Sequence, residues 1–438
     1  DPGAGRVVAL HVADDDGDDA QHADQGSHHR QAMRRDRDDR GDGEQRVGDH
    51  ACGDRDVAAA GSGLRSGACG EPLPGHWRPE GETPLQLQLD SLGKRLALIA
   101  SGVVALMFAF GLLRGDPLVQ TAMTAIALAV ACEDAARGSD PRIVNSEGAS
   151  LSSHFGVQVY GNSHGFIGGY PSTRHGLSCA VVAQDGDSMQ RDYWWTTARA
   201  AADLESPQAV GRRAGERTVA RLGARQIPTQ RAPVLFSPLT AAGLLRSLTA
   251  AISGSSLYRR SSFLLDRIDT RLFPDFVRIH EVPHLRRGLG SAPFDGDGVA
   301  TRPKDLVSQG ILRTYLLDAY SARRLGLTTT GNAGGVHNLH IEPGEWDRAG
   351  LLREMGTGLF VTELLGHGTN PVTGDYSRGA AGFWVEGGEI QFPVEEITIA
   401  GNLKEMFMGL VAVGNDCDFP GSTRTGSWLI REMTIAGD

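Results

Sequence analysis

Lysine is nearly missing from this 438-residue chain: Lys94, Lys304 and Lys404 stand against 40 arginines, a bias that fits a GC-rich genome. Cysteine is also scarce. Cys52, Cys69, Cys132, Cys179 and Cys417 are too few and too scattered for a disulfide framework, and none forms a CxxC pair. A reducing compartment, the cytoplasm, is therefore expected. The formal net charge of −10 leaves no excess of basic residues, so nucleic acid is not an expected partner. There is no P-loop, and Gly331-Asn332-Ala333-Gly334-Gly335 lacks the third glycine spacing of a dinucleotide fingerprint. No secretory signal opens the chain, which begins with Asp1 rather than Met.

The absences are sharpest at the start. Residues 1–90 contain no Ile, Phe, Tyr or Lys and a single tryptophan, Trp77, and they carry a net charge of −9. Such a stretch buries too little apolar surface to offset the entropy of ordering. It reads as a disordered solvated segment, as an acidic or metal-binding tail, or as GC-rich codons translated out of frame. Next comes Leu96–Leu113, eighteen residues without a charge, long enough to span a membrane marginally. Ser101, Gly102 and Gly111 interrupt it, and the chain after residue 140 has the composition of a water-facing fold, so no membrane span is expected. Residues 1–131 are set apart from the rest on these grounds.

From Asp140 onward the pattern is that of a folded protein. Phe155–Tyr160 and Phe166–Tyr170 flank the turn Gly161-Asn162-Ser163-His164-Gly165, and Leu177–Gln184 and Gln190–Thr197 flank Asp185-Gly186-Asp187, predicting two hairpins. Ser206-Pro207 and Ser237-Pro238 each read as N-cap and first helical residue. Gly223 is placed to close the first helix. Leu239, Ala242, Leu245 and Leu248 give the second a helical stripe, with Gly254 near its end. Between the helices, Gln226–Pro238 reads as a Pro-punctuated linker, with a domain boundary near Gln230. Phe383–Glu386 and Glu389–Phe392 across Gly387-Gly388 give the clearest two-residue hairpin. The fold class expected is α+β in two domains: the remainder of an N-terminal α/β domain over 132–230, and a C-terminal domain over 231–438 rich in antiparallel sheet.

Two motifs suggest catalysis and neither has the context it needs. His280-Glu281-Val282-Pro283-His284 matches the H-E-x-x-H zinc pattern, but Pro283 sits inside the required helical turn. The metal candidate His280, Glu281 and His284 is therefore rejected, leaving a loop with two incidental histidines. Gly161-Asn162-Ser163-His164-Gly165 matches the nucleophile elbow, yet a strand-like run follows where a helix is required. Asp295-Gly296-Asp297-Gly298 reads as a turn, since Val299 stands where a calcium loop needs an oxygen ligand.

Glycine-rich blocks then fill the last 130 residues: Thr330–Asn338, Glu354–Gly368, Thr373–Asn402 and Val413–Asp416. They read either as tight hairpins or as backbone brought close to a ligand. The contact candidates are Asp375, Tyr376, Ser377 and Arg378, with His337, Asn338, Asn415 and Asp416.

With Gly310–Leu327 and Asn162–His175, these blocks resemble the TldD/PmbA family, in its PmbA (TldE) branch, over about residues 132–438. The resemblance implies a cytosolic two-protein protease. A TldD-like subunit would hold zinc on an H-E-x-x-x-H helix and a later cysteine, and the PmbA-like chain would close a chamber admitting unfolded peptides such as a microcin precursor or an antitoxin. In this chain Ser237, Pro238 and Ala242 fall at the His, Glu and His positions, and Cys417 does not match the zinc cysteine. The resemblance thus implies no cofactor on this chain, zinc on its partner, and no catalytic residue here. The competing readings are a stand-alone peptidase using His280, Glu281 and His284, and a non-enzymatic interaction protein.

Overall fold

The structure, a computed structural model, describes residues 117–417 and 421–437. The acidic segment and the apolar run at 96–113 lie outside the described residues. The first element, helix α1 (Pro117–Arg137), starts before residue 132, with Pro117 at its first position, where a missing N–H costs nothing. Its Leu118–Ala131 portion is largely apolar.

Strands β1 (Ile143–Gly161), β2 (Ile167–Asp185) and β3 (Ser188–Ala198) form an antiparallel sheet in that order. Both predicted hairpins are present, and one 19-residue strand, β2, serves both. At the first turn Asn162 Oδ1 accepts the N–H groups of His164 and Phe166 at 3.1 and 3.2 Å. The strand that follows gives Ser163 none of the helix an elbow requires. Helix α2 (Pro207–Ala220) is capped by Ser206, whose side chain accepts the Ala209 N–H. Its buried stripe is Val210, Gly211, Ala214, Gly215 and Thr218. This stripe and Cys132 and Ala136 of α1 cover Leu177, Cys179, Val181, Ala183 and Trp194, alternate residues that share one face of the sheet.

Gln226–Pro238 is not a linker throughout. Gln230–Phe236 is strand β4, the interior of a six-stranded sheet, and Pro233 is what disguised it. A proline cannot donate to a ladder. Here neither neighbour asks it to, because pairing with β9 (Gly358–Leu365) begins at Val234 and β14 (Trp428–Ala436) bulges between Ile430 and Met433. Val234 and Phe236 face the main core while Leu235 faces a second cluster with Phe360, Val385 and Leu429, so this strand is apolar on both faces.

The remaining elements are α3 (Pro238–Ala251), α4 (Gly254–Tyr258), β5 (Ile279–Glu281), β6 (Lys304–Ser308), β7 (Ile311–Leu312), α5 (Ala319–Leu325), β8 (Leu339–Ile341), α6 (Arg348–Met355), β10 (Asp375–Glu386), β11 (Glu389–Asn402), α7 (Leu403–Met408), β12 (Leu410–Val413) and β13 (Thr423–Arg424). The large sheet runs β11-β10-β9-β4-β14-β12, and β11 pairs with β14 as well. That extra pairing, Thr398 to Ala436 through Ala400 to Thr434, closes β11, β10, β9, β4 and β14 into a ring. The β10–β11 hairpin turns at Gly387 and Gly388, both at positive φ as a primed turn requires. A smaller sheet, β13-β8-β5-β6-β7, lies beside the ring. The whole is α+β, and its C-terminal part is rich in sheet.

Helix α3 buries Thr240, Ala241, Leu244, Leu245, Leu248 and Ala251. Leu239 and Ala242, expected in its stripe, are only half-buried, because the core-facing row is set one residue away from them. Gly254 opens α4 instead of closing α3. No helix of the described residues is long and apolar enough to cross a membrane.

Candidate functional site

The H-E-x-x-H stretch is extended chain: Ile279–Glu281 is β5, and Pro283 follows it. Strand alternation sends His280 and Glu281 to opposite faces. His284 is held elsewhere, its Nε2 3.0 Å from Thr301 Oγ1. The three residues therefore do not converge on a metal. The stretch begins as strand where a loop was expected, and Glu281 is fully buried at the centre of a polar network.

Lys304, paired opposite Glu281 on β6, places Nζ 2.9 Å from Glu281 Oε2. The same ammonium donates to Thr330 O at 2.6 Å and Asn332 Oδ1 at 2.8 Å. Three donors meet three acceptors. Glu281 Oε1 lies 2.9 Å from His337 Nδ1, accepts the His337 backbone N–H, and receives Asn332 Nδ2 at 3.0 Å. Burial alone would raise the Glu281 carboxyl, but the hydrogen bonds from His337 and Lys304 outweigh it and hold the group below the usual carboxylate range. The network ties the glycine-rich stretch 330–338 to the sheet. Asp295 does the same from the neighbouring turn, accepting the N–H groups of Asp297 and Val299 on one oxygen and that of Ala333 on the other.

His337 and Asn338 are thus brought together, in the interior. Asn338 is buried, donates to Val282 O and Ser291 Oγ, and accepts the Gly290 N–H at 2.8 Å, which fixes the 282–291 loop. Asn415 and Asp416 brace a different turn: Asn415 Nδ2 donates to Glu345 O, and Asp416 accepts the Ser427 N–H and hydroxyl. Asp375–Arg378 do not form one cluster, because they begin strand β10 and alternate. Asp375 is exposed and takes Thr373 Oγ1 at 2.6 Å and Asn402 Nδ2 at 2.9 Å, which together hold its carboxyl below the ordinary range. Ser377 is exposed, while Tyr376 is buried and its neighbour on the same face, Arg378, is half-buried. Arg378 Nε finds no hydrogen-bond partner among the described residues. Burial pushes the Tyr376 phenol up to about 12, against the opposing charge of Arg378.

The other face of the small sheet carries a polar row. Asp305, His280, His340 and Arg424 are successive cross-strand partners on β6, β5, β8 and β13. The imidazoles lie edge to face with centroids 5.6 Å apart, and burial, followed by nearby positive charge, pushes both pKa values down. His340 and Arg424 line an open cleft of about 410 Å³ that continues to Arg199 at the end of β3 and to the 285–289 loop.

Sequence reasoning missed Lys304, Arg199, Arg286 and Arg424. Lys304 had a signal, since a lysine retained among 40 arginines marks a place where a planar guanidinium does not serve. The arginines had none, being three among many.

Residues 115–222 match the PmbA/TldA metallopeptidase central domain, and residues 229–437 match the PmbA/TldA metallopeptidase C-terminal domain. Metalloprotease PmbA of Escherichia coli is 52% identical over 313 residues, covering 72% of this chain and 70% of that protein. The Metalloprotease PmbA homolog of Haemophilus influenzae is 48% identical over 312 residues, covering 71% and 69%. A solved structure from Bacteroides thetaiotaomicron superposes with a TM-score of 0.69 at 30% identity over 72% of this chain and 71% of that one. TldE from Thermococcus kodakarensis has a TM-score of 0.64 at 22% identity, over 72% and 74%, a likeness of fold.

Proposed function

The chain belongs to the PmbA/TldD family of metallopeptidases, and from that premise we propose that it is the subunit of a cytosolic two-protein zinc peptidase that does not itself hold the metal. Its role is to close the chamber and hold an unfolded peptide, of the microcin-precursor or antitoxin kind, for a zinc-bearing TldD-like partner.

The observation that carries this reading is the chemistry at the start of α3. The family resemblance puts the His, Glu and His positions of the metal helix at Ser237, Pro238 and Ala242. Ser237 is the N-cap, its Oγ 3.0 Å from Thr240 Oγ1 and accepting the Thr240 N–H. Pro238 is the first helical residue and Ala242 ends in a methyl group. A catalytic zinc needs three protein ligands and one open position. A capping hydroxyl, a pyrrolidine ring and a methyl do not fit it. Among the described residues no group of three or more His, Cys, Asp or Glu is arranged to hold a metal ion.

The purified chain should accordingly contain no stoichiometric zinc by elemental analysis. About one zinc per chain, lost in a His280→Ala/His284→Ala variant, would restore the stand-alone peptidase. The isolated chain should leave an unfolded peptide intact, and an equimolar mixture with a zinc-bearing family member should cleave it until a chelator is added. Cleavage by the isolated chain in the presence of chelator defeats the proposal. Within that mixture Arg378→Ala should slow turnover by about tenfold, since its buried Nε has no acceptor among the described residues and is free to hold a carbonyl or carboxylate. Loss of association in place of turnover would make the Arg378 block a subunit interface.

A further inference from the structure

Several arginines of the described residues pair with acids. Arg191 pairs with Glu147, Arg217 with Asp192, Arg278 with Asp305 and Arg313 with Asp269. The cleft between β3, β8 and the 285–289 loop gathers arginines in one place. Arg199, Arg286, Arg287 and Arg424 line it, with Asp203 as the one carboxylate among the described residues that line it. Asp203 gives both oxygens to Arg287, at 2.9 and 3.0 Å. Arg286 and Arg424 are exposed and have no carboxylate partner among the described residues.

Arg199 is held differently. Its guanidinium donates to Gly288 O at 3.2 Å, Leu289 O at 2.7 Å and Thr173 O at 3.3 Å. Carbonyls fix the orientation of a guanidinium without neutralising it, and three of its five N–H groups are thereby committed. Burial and the like charge of Arg174 press on the same group. Beside Arg424, His340 adds a buried Nε2 with no hydrogen-bond partner among the described residues. A guanidinium fixed by carbonyls, beside two exposed arginines with no carboxylate partner among the described residues, is the arrangement expected of an anion site.

We propose that this cleft seats a carboxylate of the bound peptide, with Arg286 and Arg424 supplying charge and Arg199 a preset fork. The inference rests on the peptide-holding reading above and specifies which part of the peptide is recognised. The carboxylate is either the free C-terminus or an acidic side chain, and the planar guanidinium matches both.

The test is fluorescence anisotropy with the full chain and labelled unstructured peptides of one backbone sequence. One ends in a free acid, one is amidated and otherwise neutral, and one is amidated with two internal glutamates. At low ionic strength at least one acidic peptide should bind about tenfold more tightly than the neutral one. The acidic peptide that does so identifies the source of the carboxylate. Arg286→Gln/Arg424→Gln, both at exposed positions, should erase that preference. Arg212→Gln/Arg246→Gln removes the same charge from exposed helix positions elsewhere and should keep it. Equal affinity for acidic and neutral peptides overturns the inference and leaves the peptide-holding reading standing. A preference that survives the cleft variant, or that the control variant also loses, overturns it too. If no peptide binds the unaltered chain, the peptide-holding reading itself fails.

Discussion

Replacing Lys304 with Met should destabilise the chain by about 3–5 kcal/mol, the range for removing one partner of a buried ion pair. The variant leaves the Glu281 carboxylate, fully buried, facing Thr330 O and Asn332 Oδ1 with no cation between them. Lys304→Arg should not restore the loss, because a planar fork cannot aim its donors at three acceptors grouped around one point. Lys304→Met combined with Glu281→Gln should be less damaging than the sum of the two single changes, since no charge is then stranded. Urea unfolding midpoints measure all four proteins. A shift under about 1 kcal/mol for Lys304→Met would show that water reaches the site and screens it.

The pH dependence follows from the direction of the Glu281 shift. A carboxyl held low in the folded state adds stability above its unfolded value, near 4.5, and loses it as the pH falls through the lower folded one. The gap between the native chain and Glu281→Gln should therefore be flat at neutral pH and narrow only in acid.

Gly211→Val should be the second large loss, about 3 kcal/mol. A Cβ at Gly211 would overlap the Cys132 carbonyl oxygen and lie 2.9 Å from the Ala136 amide nitrogen. Both are backbone, so neither helix can yield locally and α1 must lift from α2. Val210 and Ala214 would then lose their contacts with Cys132 and Ala136. Gly243→Ala is the matched control. It too replaces a helical glycine, but nothing lies within 4 Å of the added carbon. That change should stabilise by about 1 kcal/mol, the helix-propensity difference alone. Thermal unfolding of the two variants separates packing from propensity, and equal effects would discount the tight helix contact.

What could be read in the sequence was local. Ser206 and Ser237 were legible as caps, and Gly387-Gly388 as a turn, because each acts within three or four residues of itself. Strand β4 was not, because the bulge that accommodates Pro233 belongs to β14, almost two hundred residues on. The Glu281 network was hidden for the same reason, Asn332 and His337 lying 51 and 56 residues away. Asp375–Arg378 were legible as hydrogen-bonding residue types. Their division between two faces of β10 needed the strand itself. The expectation of no metal at Ser237, Pro238 and Ala242 came from the family resemblance, and the fold adds that Ser237 is a helix cap.

The ring of strands also sets a timetable. Phe236 on β4 lies across from Trp428 on β14, and β11 meets β14 at Ala400 and Thr434. On the ribosome the segment Val234-Leu235-Phe236, apolar on both faces, emerges long before the strand that completes its pairing. Closing loops of that length is slow, and an unpaired apolar strand is an aggregation hazard while it waits. A nascent chain halted before β14 would display an open, sticky edge where the finished protein has none. Holding that edge until the last strand arrives is a task for a chaperone, and its duration is set by translation.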